Sequence, residues 1–248
     1  MPPLPTFTAR LVSARALTAH VRELTFERTD GAPLVFEAGQ WVSLVLPVPP
    51  PGEKQGELRR AYSIASAPNG TPSFQLAVTR VEGGPGSTWL HGMEPGQTLT
   101  VVGPQGFFTR PLDKTGPSLF VATGTGLTPL RSMLLDALAR GERRALWVLF
   151  GVRREEDLLY RDELEALARS HANVRVELVL SRPDERWTGR RGYVQAHVPE
   201  LFAGLVDRAE GEPHVYVCGL QRMVGAVRDL LRKEMNVPRQ QVHSERYD

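Results

Sequence analysis

The sequence predicts an N-terminal antiparallel β-barrel followed by a C-terminal α/β domain with a parallel sheet. Across residues 7–109 the apolar runs are short, often alternate with polar residues and are separated by Gly and Pro, which is typical of antiparallel strands joined by turns. From residue 118 onward strand-like and helix-like segments alternate, which predicts a parallel sheet covered by helices on both faces. A length of 248 residues accommodates both domains.

The first half contains short strand patterns. In residues 74–81 every second side chain from Phe74 to Val78 is large and apolar, which predicts a strand with one buried face. Residues 41–48 and 98–102 are two further apolar runs bounded by turn residues. Several such strands with turns between them predict an antiparallel barrel or sandwich.

The second half predicts four strands and three helices. The strands are residues 118–122, 145–151, 174–180 and 214–218, and the helices are residues 127–140, 155–169 and 221–235. In the second helix acidic residues come first and arginines last, as the helix dipole favours. Turn-forming residues at 111–117 mark the boundary, so we predict domains at residues 1–112 and 113–248.

Composition and charge exclude several functional classes. The formal net charge of +2 argues against a nucleic-acid partner. A single cysteine, Cys218, excludes an internal disulfide framework and an iron–sulfur cluster held by four thiolates of this chain, and no metal site is predicted. The first residues lack a signal-peptide pattern, and no apolar run approaches the roughly 20 residues of a membrane helix. We therefore expect a monomeric cytoplasmic protein without a membrane partner.

Arg60, Ala61, Tyr62 and Ser63 form a quartet suited to a flavin nucleotide. Arginine offers a permanent forked cation to a diphosphate, tyrosine an amphipathic ring, and serine a hydroxyl that can bond the isoalloxazine. The alternative interpretation is an exposed arginine beside an ordinary barrel strand.

A glycine-rich turn at residues 83–86 precedes Ser87 and Thr88. Such a turn can expose backbone N–H groups, and Ser87 can cap a short helix aimed at a phosphate. A plain hairpin loop explains the segment equally well. Because this turn and the Arg60 quartet flank the same predicted strand, each strengthens the flavin interpretation of the other.

Residues 123–129 (TGTGLTP) lie between a predicted strand and a predicted helix. The glycines let the backbone approach a pyrophosphate, and the helix N-terminus favours its negative charge by roughly 0.3–1 kcal/mol. Thr128 can serve as N-cap and Pro129 as the first helical residue. A purely structural turn accounts for one glycine, but less well for two followed by this cap, so the segment indicates nucleotide binding.

A hydroxyl and several arginines lie where the second and third strands of this half end. Ser181 and Arg182 end the third strand, and Arg190 follows after a short loop. Arg153 follows the second strand. Ligands of open parallel sheets bind at the carboxyl ends of the strands, and no acidic residue ends the third strand to bond a ribose 2′-hydroxyl. This favours a 2′-phosphate, hence NADP over NAD, because a charge-assisted hydrogen bond contributes roughly 1.5–3 kcal/mol. A solvated basic loop is the alternative.

Cys218 and Gly219 end the last predicted strand, just before a helix. A lone buried cysteine is usually a small core residue, but this position points to a thiol that faces a ligand. Since no partner residue suggests a nucleophile, we assign it packing against a ring rather than covalent chemistry. The tail at residues 243–248 would ordinarily be frayed.

Five elements in this order resemble the ferredoxin–NADP⁺ reductase superfamily of flavoproteins, from residue 7 to the C-terminus. They are the Arg60 quartet, the loop at residues 86–88, the turn at residues 124–129, the Cys218-Gly219 pair, and Glu245, Arg246 and Tyr247. The compact bacterial-type reductases are the most similar members. The resemblance implies an FAD-binding barrel at residues 1–112, an NAD(P)-binding α/β domain at residues 113–248, and chemistry in a cleft between them.

The resemblance also implies roles for individual residues. FAD would be held by Arg60, Ala61, Tyr62 and Ser63, with Ser63 beside the flavin N5, lined by Ala77, Val78 and Thr79, and bound at its pyrophosphate by Gly86, Ser87 and Thr88. The NADP pyrophosphate would lie on Thr123, Gly124, Thr125, Gly126 and Thr128, and its 2′-phosphate on Ser181, Arg182 and Arg190, with Arg153 nearby. Cys218 and Gly219 would face the nicotinamide, Glu245 would handle protons or act electrostatically, and Tyr247 would stack on the isoalloxazine.

The sequence departs from the family pattern at its end. Asp248 follows Tyr247, whereas the plant-type pattern ends on the stacking aromatic residue and bacterial-type relatives often place there a second aromatic residue that packs on the FAD adenine. The implied activity is hydride transfer between NADP(H) and FAD, with single electrons exchanged with a separate ferredoxin or flavodoxin. The alternatives are an NAD(P)H:flavin reductase, the reductase component of an oxygenase, and an FAD-binding electron-transfer subunit of a larger complex.

Overall fold

The computed structural model describes residues 4–48, 56–111 and 116–247, which divide into two compact units. Among the described residues, the first unit runs to Thr109 and also includes Arg131–Asp136, and the second consists of Arg110–Leu130 and the chain from Ala137 onward. The predicted boundary at residue 112 lies outside the described residues and stays a prediction. None of the helices in these ranges is long and apolar enough to cross a membrane.

The first unit is built on a six-stranded antiparallel sheet in the order β4-β3-β6-β1-β2-β5. Its strands are β1 (Thr6–Ala16), β2 (Val21–Arg28), β3 (Trp41–Leu46), β4 (Leu58–Ser63), β5 (Ser73–Thr79) and β6 (Thr98–Gln105), with helix α1 (Pro85–Gly92) between β5 and β6. The two edge strands, β4 and β5, meet where Ile64 bridges Leu76. The sheet therefore curls round on itself, as the sequence predicts for a barrel.

Alternating apolar residues of these strands fill the barrel. Phe74 and Leu76 of β5 are fully buried, in the alternation that the sequence shows. The ring of Phe74 stacks on Phe26 with centroids 5.7 Å apart and meets Phe7 edge to face at 6.3 Å. Leu90 of α1 belongs to the same core, so the helix packs on the strands.

The second unit is a six-stranded parallel sheet in the order β10-β9-β8-β7-β11-β12. Its strands are β7 (Ser118–Thr123), β8 (Leu146–Val152), β9 (Val174–Leu180), β10 (Arg190–Arg191), β11 (His214–Leu220) and β12 (Val242–Tyr247), and its helices are α2 (Leu127–Ala139), α3 (Arg161–Ser170), α4 (Val198–Asp207) and α5 (Gln221–Asp229). The chain runs outward from β7 to β10 and then returns to the other side of β7. The strand order thus reverses between β7 and β11, which is where open parallel sheets bind ligands.

Both faces of the central strand β7 are buried. Leu119 and Val121 belong to a core cluster with residues of α4 and α5. Phe120 points to the opposite face, where its ring lies 5.6 Å from that of Tyr216. A strand buried on both faces is a near-continuous apolar run, which explains why residues 118–122 were recognisable in the sequence.

The predicted strands and the helix at 127–140 agree with the structure within three residues, but two other helix predictions need correction. The predicted helix at 155–169 is a short 3₁₀ turn, Glu155–Asp157, followed by α3, because Leu159 and Tyr160 turn inward and are buried. Tyr160 adopts a left-handed conformation with φ of 53° that ends the first turn. The predicted helix at 221–235 is α5 followed by a π-helical turn, Leu230–Glu234.

Candidate functional site

The flavin quartet lies on β4, where Arg60 and Tyr62 share a strand face with the buried Leu58. Opposite Arg60 on β3 is Leu44, so the aliphatic part of the arginine borders the barrel core while its side chain remains exposed. Tyr62 packs against that core, and its burial raises the pKa of the phenol to about 12. The phenol therefore stays neutral at physiological pH.

Helix α1 begins directly beside Arg60. A Cβ added at Gly86 would lie 3.4 Å from Arg60 Cγ and 3.0 Å from Leu46 Cδ1, so a larger residue would crowd these two side chains. The first N–H groups of a helix have no intrahelical partner and favour an anion. The aliphatic part of the Arg60 side chain borders this helix start, while its Nη1 donates to the Arg59 carbonyl oxygen at 2.9 Å. An exposed arginine next to a helix start fits the diphosphate of a flavin nucleotide.

The predicted capping role of Ser87 is wrong. The N-cap position of α1 is Gly84, with Pro85 following, and Ser87 lies within the first turn. Its hydroxyl accepts a hydrogen bond from the Val81 N–H (3.0 Å) and lies 3.1 Å from the Gly84 carbonyl oxygen. The Ser87 hydroxyl therefore stabilises the turn before the helix, and the group of Ser87 that is available to a phosphate is its backbone N–H.

Closure of the barrel brings the end of the quartet to β5. Ser63 precedes the bridging Ile64, and Ala77 follows the bridging Leu76, so the two residues lie beside each other in this pairing, both with 6% of their surface exposed. The side chain of Val78 is fully buried in the barrel, so only its backbone can meet a ligand, whereas Thr79 is exposed.

A buried arginine that sequence reasoning missed supports the segment after Ser63. Within the first unit, Arg131 Nη1 donates hydrogen bonds to the Ala65 carbonyl oxygen (2.6 Å) and to Gln75 Oε1 (3.1 Å). Ser132 Oγ donates to the Ser66 carbonyl oxygen at 2.7 Å. Because these carbonyls follow the quartet directly, Arg131 helps to fix its backbone. The only sequence signal was a charged residue within an apolar helical stretch.

The predicted nucleotide turn lies at the carboxyl end of β7, where the strand order reverses. Gly124–Gly126 forms a 3₁₀ turn that leads into α2. A Cβ at Gly126 would lie 2.3 Å from the Cys218 carbonyl oxygen, so a glycine is required for the turn to pack on β11. Thr123 Oγ1 is buried and has no hydrogen-bond partner among the described residues. A buried hydroxyl without a hydrogen-bond partner is expected where a polar ligand supplies the missing hydrogen bond.

The predicted N-cap at Thr128 is wrong as well. The helical segment starts earlier, with Thr123 at its N-cap position, so Thr128 already lies inside α2. Its hydroxyl donates a hydrogen bond to the Thr125 carbonyl oxygen at 2.8 Å and lies 3.3 Å from the Tyr247 hydroxyl. Thr128 thus connects the nucleotide turn to the C-terminal strand.

The C-terminal residues are ordered by parallel pairing of β12 with β11. In this register Cys218 is paired with Glu245, and Leu220 with Tyr247. Burial and the Glu245 carboxylate raise the pKa of the Cys218 thiol, and a hydrogen bond from Tyr247 opposes this shift only in part. The thiol is therefore protonated at neutral pH, in keeping with packing rather than nucleophilic chemistry. The tail is therefore a strand, β12, as the family resemblance argues against the ordinary expectation of fraying, while Asp248 lies outside the described residues.

The structure places Arg153 beside Arg182. The backbone N–H of Arg182 donates to the Arg153 carbonyl oxygen at 2.8 Å, and that of Ser181 donates to Val152 at 3.0 Å. Both arginine side chains are exposed, and within the described ranges neither guanidinium has an ion-pair or hydrogen-bond partner. Two unengaged cations at neighbouring strand ends fit an anionic group of the ligand.

Arg190, by contrast, is engaged by two carboxylates. Its Nε lies 2.8 Å from Glu177 Oε2, and its Nη1 and Nη2 each lie 2.7 Å from a carboxylate oxygen of Glu200. These carboxylates raise the pKa of Arg190 above its usual value. Sequence reasoning missed Glu200 because it lies on α4, a helix that the sequence did not predict.

Comparisons with known proteins decide the family. Residues 8–109 match the family described as oxidoreductase FAD-binding domain, and residues 120–229 match the oxidoreductase NAD-binding domain. The chain is 62% identical over 244 residues to ferredoxin–NADP reductase B of Sorangium cellulosum, covering 98% of each protein. The chain belongs to the ferredoxin–NADP⁺ reductase family.

More distant relatives of this ferredoxin–NADP⁺ reductase family member carry the names of hydroxylase or monooxygenase proteins. It is 31% identical to the phenol hydroxylase P5 protein of Acinetobacter pittii and 33% identical to the glycine betaine monooxygenase reductase subunit of Pseudomonas aeruginosa, covering 87% and 90% of this chain. It spans 58% and 59% of those proteins. Among solved structures, the cytochrome P450 reductase of Amycolatopsis superposes with a TM-score of 0.82 at 29% identity, covering 98% of this chain and 70% of that one.

These comparisons confirm the predicted fold class, the resemblance, and FAD and NAD(P) as cofactors of an oxidoreductase of this type. The roles of the individual site residues stay predictions. The fit of the two cofactors rests on the groups described above: the Arg60 cation beside the start of α1 for FAD, and the orphaned Thr123 hydroxyl with its close-packed glycine turn for the nucleotide.

Proposed function

We propose that the protein catalyses electron transfer between NADP(H) and a ferredoxin or flavodoxin. The observation that carries this proposal is the group of Thr128, Cys218, Glu245 and Tyr247 at the point where the strand order reverses. A protonated thiol near the carboxyl end of β11 and a carboxylate and a phenol near that of β12 supply contacts suited to a nicotinamide ring. The 62% identity over the full chain to a ferredoxin–NADP reductase supports the same reaction.

In this proposal the first unit binds FAD. Arg60 and the N–H groups at the start of α1 bind the pyrophosphate, while Tyr62 contacts the flavin through its neutral ring. Ser63 would lie with its hydroxyl beside the flavin N5, and the small side chain of Ala77 would leave room for the ring. When bound, FAD supplies the conversion between hydride transfer and single-electron transfer.

The second unit binds the nicotinamide nucleotide. The turn at Gly124–Gly126 meets the pyrophosphate, and the Thr123 hydroxyl completes its hydrogen bonding with the ligand. Cys218 remains protonated and packs on the nicotinamide ring, so that it excludes water without attacking the ring. Glu245 holds or exchanges a proton at its carboxylate, and Tyr247 excludes water from the same place.

We assign the recognition of the 2′-phosphate to Arg153 and Arg182, together with the Ser181 hydroxyl. The support is the backbone pairing that places the two arginines on neighbouring strand ends, with their guanidinium groups unengaged within the described ranges. Arg190 was predicted to join them, but a phosphate would have to compete with the two carboxylates that hold it.

The one-electron carrier lies outside these 248 residues, since a single cysteine cannot supply four thiolates to a cluster. We propose a separate ferredoxin or flavodoxin, with the reductase acting as a cytoplasmic monomer. A second candidate is the reductase component of an oxygenase, because relatives at 33% and 32% identity are named as a monooxygenase reductase subunit and a monooxygenase reductase component.

The experiment that separates these candidates is electron transfer by the purified FAD-loaded protein under anaerobic conditions. NADPH should reduce a ferredoxin or a flavodoxin at a rate that depends on the concentration of reductase. Omitting the carrier while supplying free FAD tests for a flavin reductase. Failure to reduce either carrier, with rapid reduction of free FAD or of an oxygenase component, would overturn the proposal.

A further inference from the structure

The guanidinium of Arg190 is held by carboxylates at all three of its nitrogens. Glu177 accepts from Nε at 2.8 Å, and Glu200 accepts from Nη1 and Nη2 at 2.7 Å each. The Glu200 contact is bidentate, the geometry in which arginine discriminates best between partners. His197 Nδ1 lies 3.2 Å from Nη1. A phosphate can therefore reach Arg190 in the usual forked manner only after Glu200 has moved away.

Of the two carboxylates, Glu200 is the one whose position depends on Arg190. Glu177 also forms an ion pair with Arg175 at 2.6 Å, and only 21% of its side chain is exposed. Glu200 lies in the first turn of α4 with its side chain 61% exposed, and its ion pair in the described structure is with Arg190. Packing does not force the Glu200 carboxylate into this place, so its replacement leaves the fold intact.

Arg190 is close to the proposed ribose site. Strand β10 pairs with β9 so that Arg190 lies opposite Val179, and Arg191 lies opposite Leu180. The next residues of β9 are Ser181 and Arg182, to which the 2′-phosphate was assigned above. Arg190 therefore lies level with the β9 residue two positions before Ser181, near enough for its guanidinium to reach the proposed phosphate site. In the structure its side chain points the other way along β9, to Glu177.

We propose that Glu200 is a positioning residue that sets the nucleotide preference by holding Arg190 away from the 2′-phosphate. This inference rests on the proposed function, in which Arg182 marks the ribose end of the nucleotide. Glu200 acts against NADP in two ways: it occupies the guanidinium that would bind the phosphate, and it places a negative charge near a dianionic group. A ribose 2′-hydroxyl carries no charge and is indifferent to both effects. Glu200 thus limits the preference for NADP over NAD that Arg153 and Arg182 create.

The test is calorimetric titration of the FAD-loaded protein with adenosine 2′,5′-bisphosphate and with 5′-AMP, which differ only in the 2′-phosphate. Glu200→Gln should tighten binding of the bisphosphate about tenfold, the value of one added charge-assisted hydrogen bond, and leave 5′-AMP unchanged. In an Arg190→Met background the same substitution should tighten the bisphosphate much less, because no guanidinium is left to release and only the negative charge is removed. A structural role alone would change both ligands equally.

A matched control is Asp229→Asn on α5, which removes one negative charge from a surface ion pair with Lys233 (3.0 Å) and should change neither titration. An unchanged or weaker affinity of Glu200→Gln for the bisphosphate, with Arg182→Ala still weakening it, overturns this inference and leaves the proposed function standing. A wild-type protein that binds neither adenosine ligand overturns the proposed function itself and this inference with it.

Discussion

Cys218 lies directly opposite Glu245 in the parallel pairing of β11 with β12. This register brings a buried thiol and a carboxylate from the end of the chain to the carboxyl edge of the sheet, beside the nucleotide turn. Burial and the carboxylate both raise the pKa of the thiol. The pairing therefore places the C-terminal strand beside the nucleotide turn, and we propose that this strand forms part of the nicotinamide site.

Ser63→Ala should slow reduction of the flavin by NADPH about three- to tenfold, because one hydrogen bond worth roughly 0.5–1.5 kcal/mol is lost. The fold should be unaffected, since the removed atom is a single hydroxyl. Stopped-flow absorbance of the flavin measures the rate, and thermal unfolding provides the control. A rate equal to that of the wild type would remove Ser63 from the mechanism.

Arg182→Ala should lower the ratio of kcat/KM for NADPH to that for NADH at least tenfold, through loss of a contact worth roughly 1.5–3 kcal/mol. Arg190→Ala should change the ratio less, because its guanidinium is held by Glu177 and Glu200. Arg169→Ala, an exposed arginine of α3, is the matched control. If Arg190→Ala has the larger effect, the assignment of the 2′-phosphate to Arg182 is wrong.

Gly126→Ala should destabilise the protein by roughly 1–3 kcal/mol and weaken nucleotide binding, because its Cβ would lie 2.3 Å from the Cys218 carbonyl oxygen. Gly225→Ala in α5 is the control, since a Cβ there meets nothing within 4 Å. Urea unfolding and titration with NADP⁺ give the two readouts. Equal stability and equal NADP⁺ affinity of the two variants would show that the turn accommodates a Cβ at residue 126, contrary to this prediction.

Acidification should destabilise the second unit through His243. Burial and the neighbouring His214 lower the pKa of His243 to about 4, below its ordinary value of 6.5. The unfolded chain thus binds a proton that the folded protein does not, so stability falls as the pH drops from 6.5 toward 4, by on the order of 1–2 kcal/mol for a partly exposed group. His243→Phe keeps the stacking on Tyr216 (4.6 Å between centroids) and should reduce this dependence, while His214, whose pKa burial also lowers, keeps its own contribution. Urea unfolding at pH 7 and pH 5 measures it, and an unchanged slope in the variant would contradict the account.

Removing residues 247–248 should alter both the flavin spectrum and the kinetics with NADPH. Tyr247 contacts Thr128 and the Cys218 thiol, so its loss opens the nucleotide site to water. Tyr247→Phe keeps the ring and loses only the hydroxyl contacts, which separates stacking from hydrogen bonding. A truncated protein with wild-type spectrum and kinetics would exclude Tyr247 from the site.

The sequence predicted those parts of the fold whose pattern is local. Strand β7 was recognisable because it is buried on both faces, and β5 because its apolar residues alternate. Helix α4 was missed because Pro199 and Gly204 are turn signals. In the structure Pro199 occupies the first turn, where proline is tolerated, and Gly204 packs on Trp147. Strand β12 was missed because a short polar edge strand is specified by its partner rather than by its own pattern.

In the candidate site, too, the sequence predicted features that depend on local pattern and missed those that depend on contacts between distant residues. Residue type and order were enough to choose Arg60, Thr123 and Cys218, whose neighbours in the structure suit the predicted ligands. The engagement of Arg190 by Glu200 could not be predicted, because it depends on where α4 begins. The hydroxyl roles of Ser87 and Thr128 were misassigned because the N-cap positions lie three and five residues earlier than the side-chain pattern indicates.

The measurement that tests the central claim most directly is anaerobic bleaching of the protein-bound flavin, followed in the visible spectrum with NADPH and then with NADH. The account predicts that the purified protein retains FAD and that NADPH bleaches it faster than NADH does. Faster bleaching by NADH would contradict the 2′-phosphate assignment to Arg153 and Arg182. A protein that takes up no FAD, or whose flavin neither nucleotide reduces, would contradict the proposed reaction.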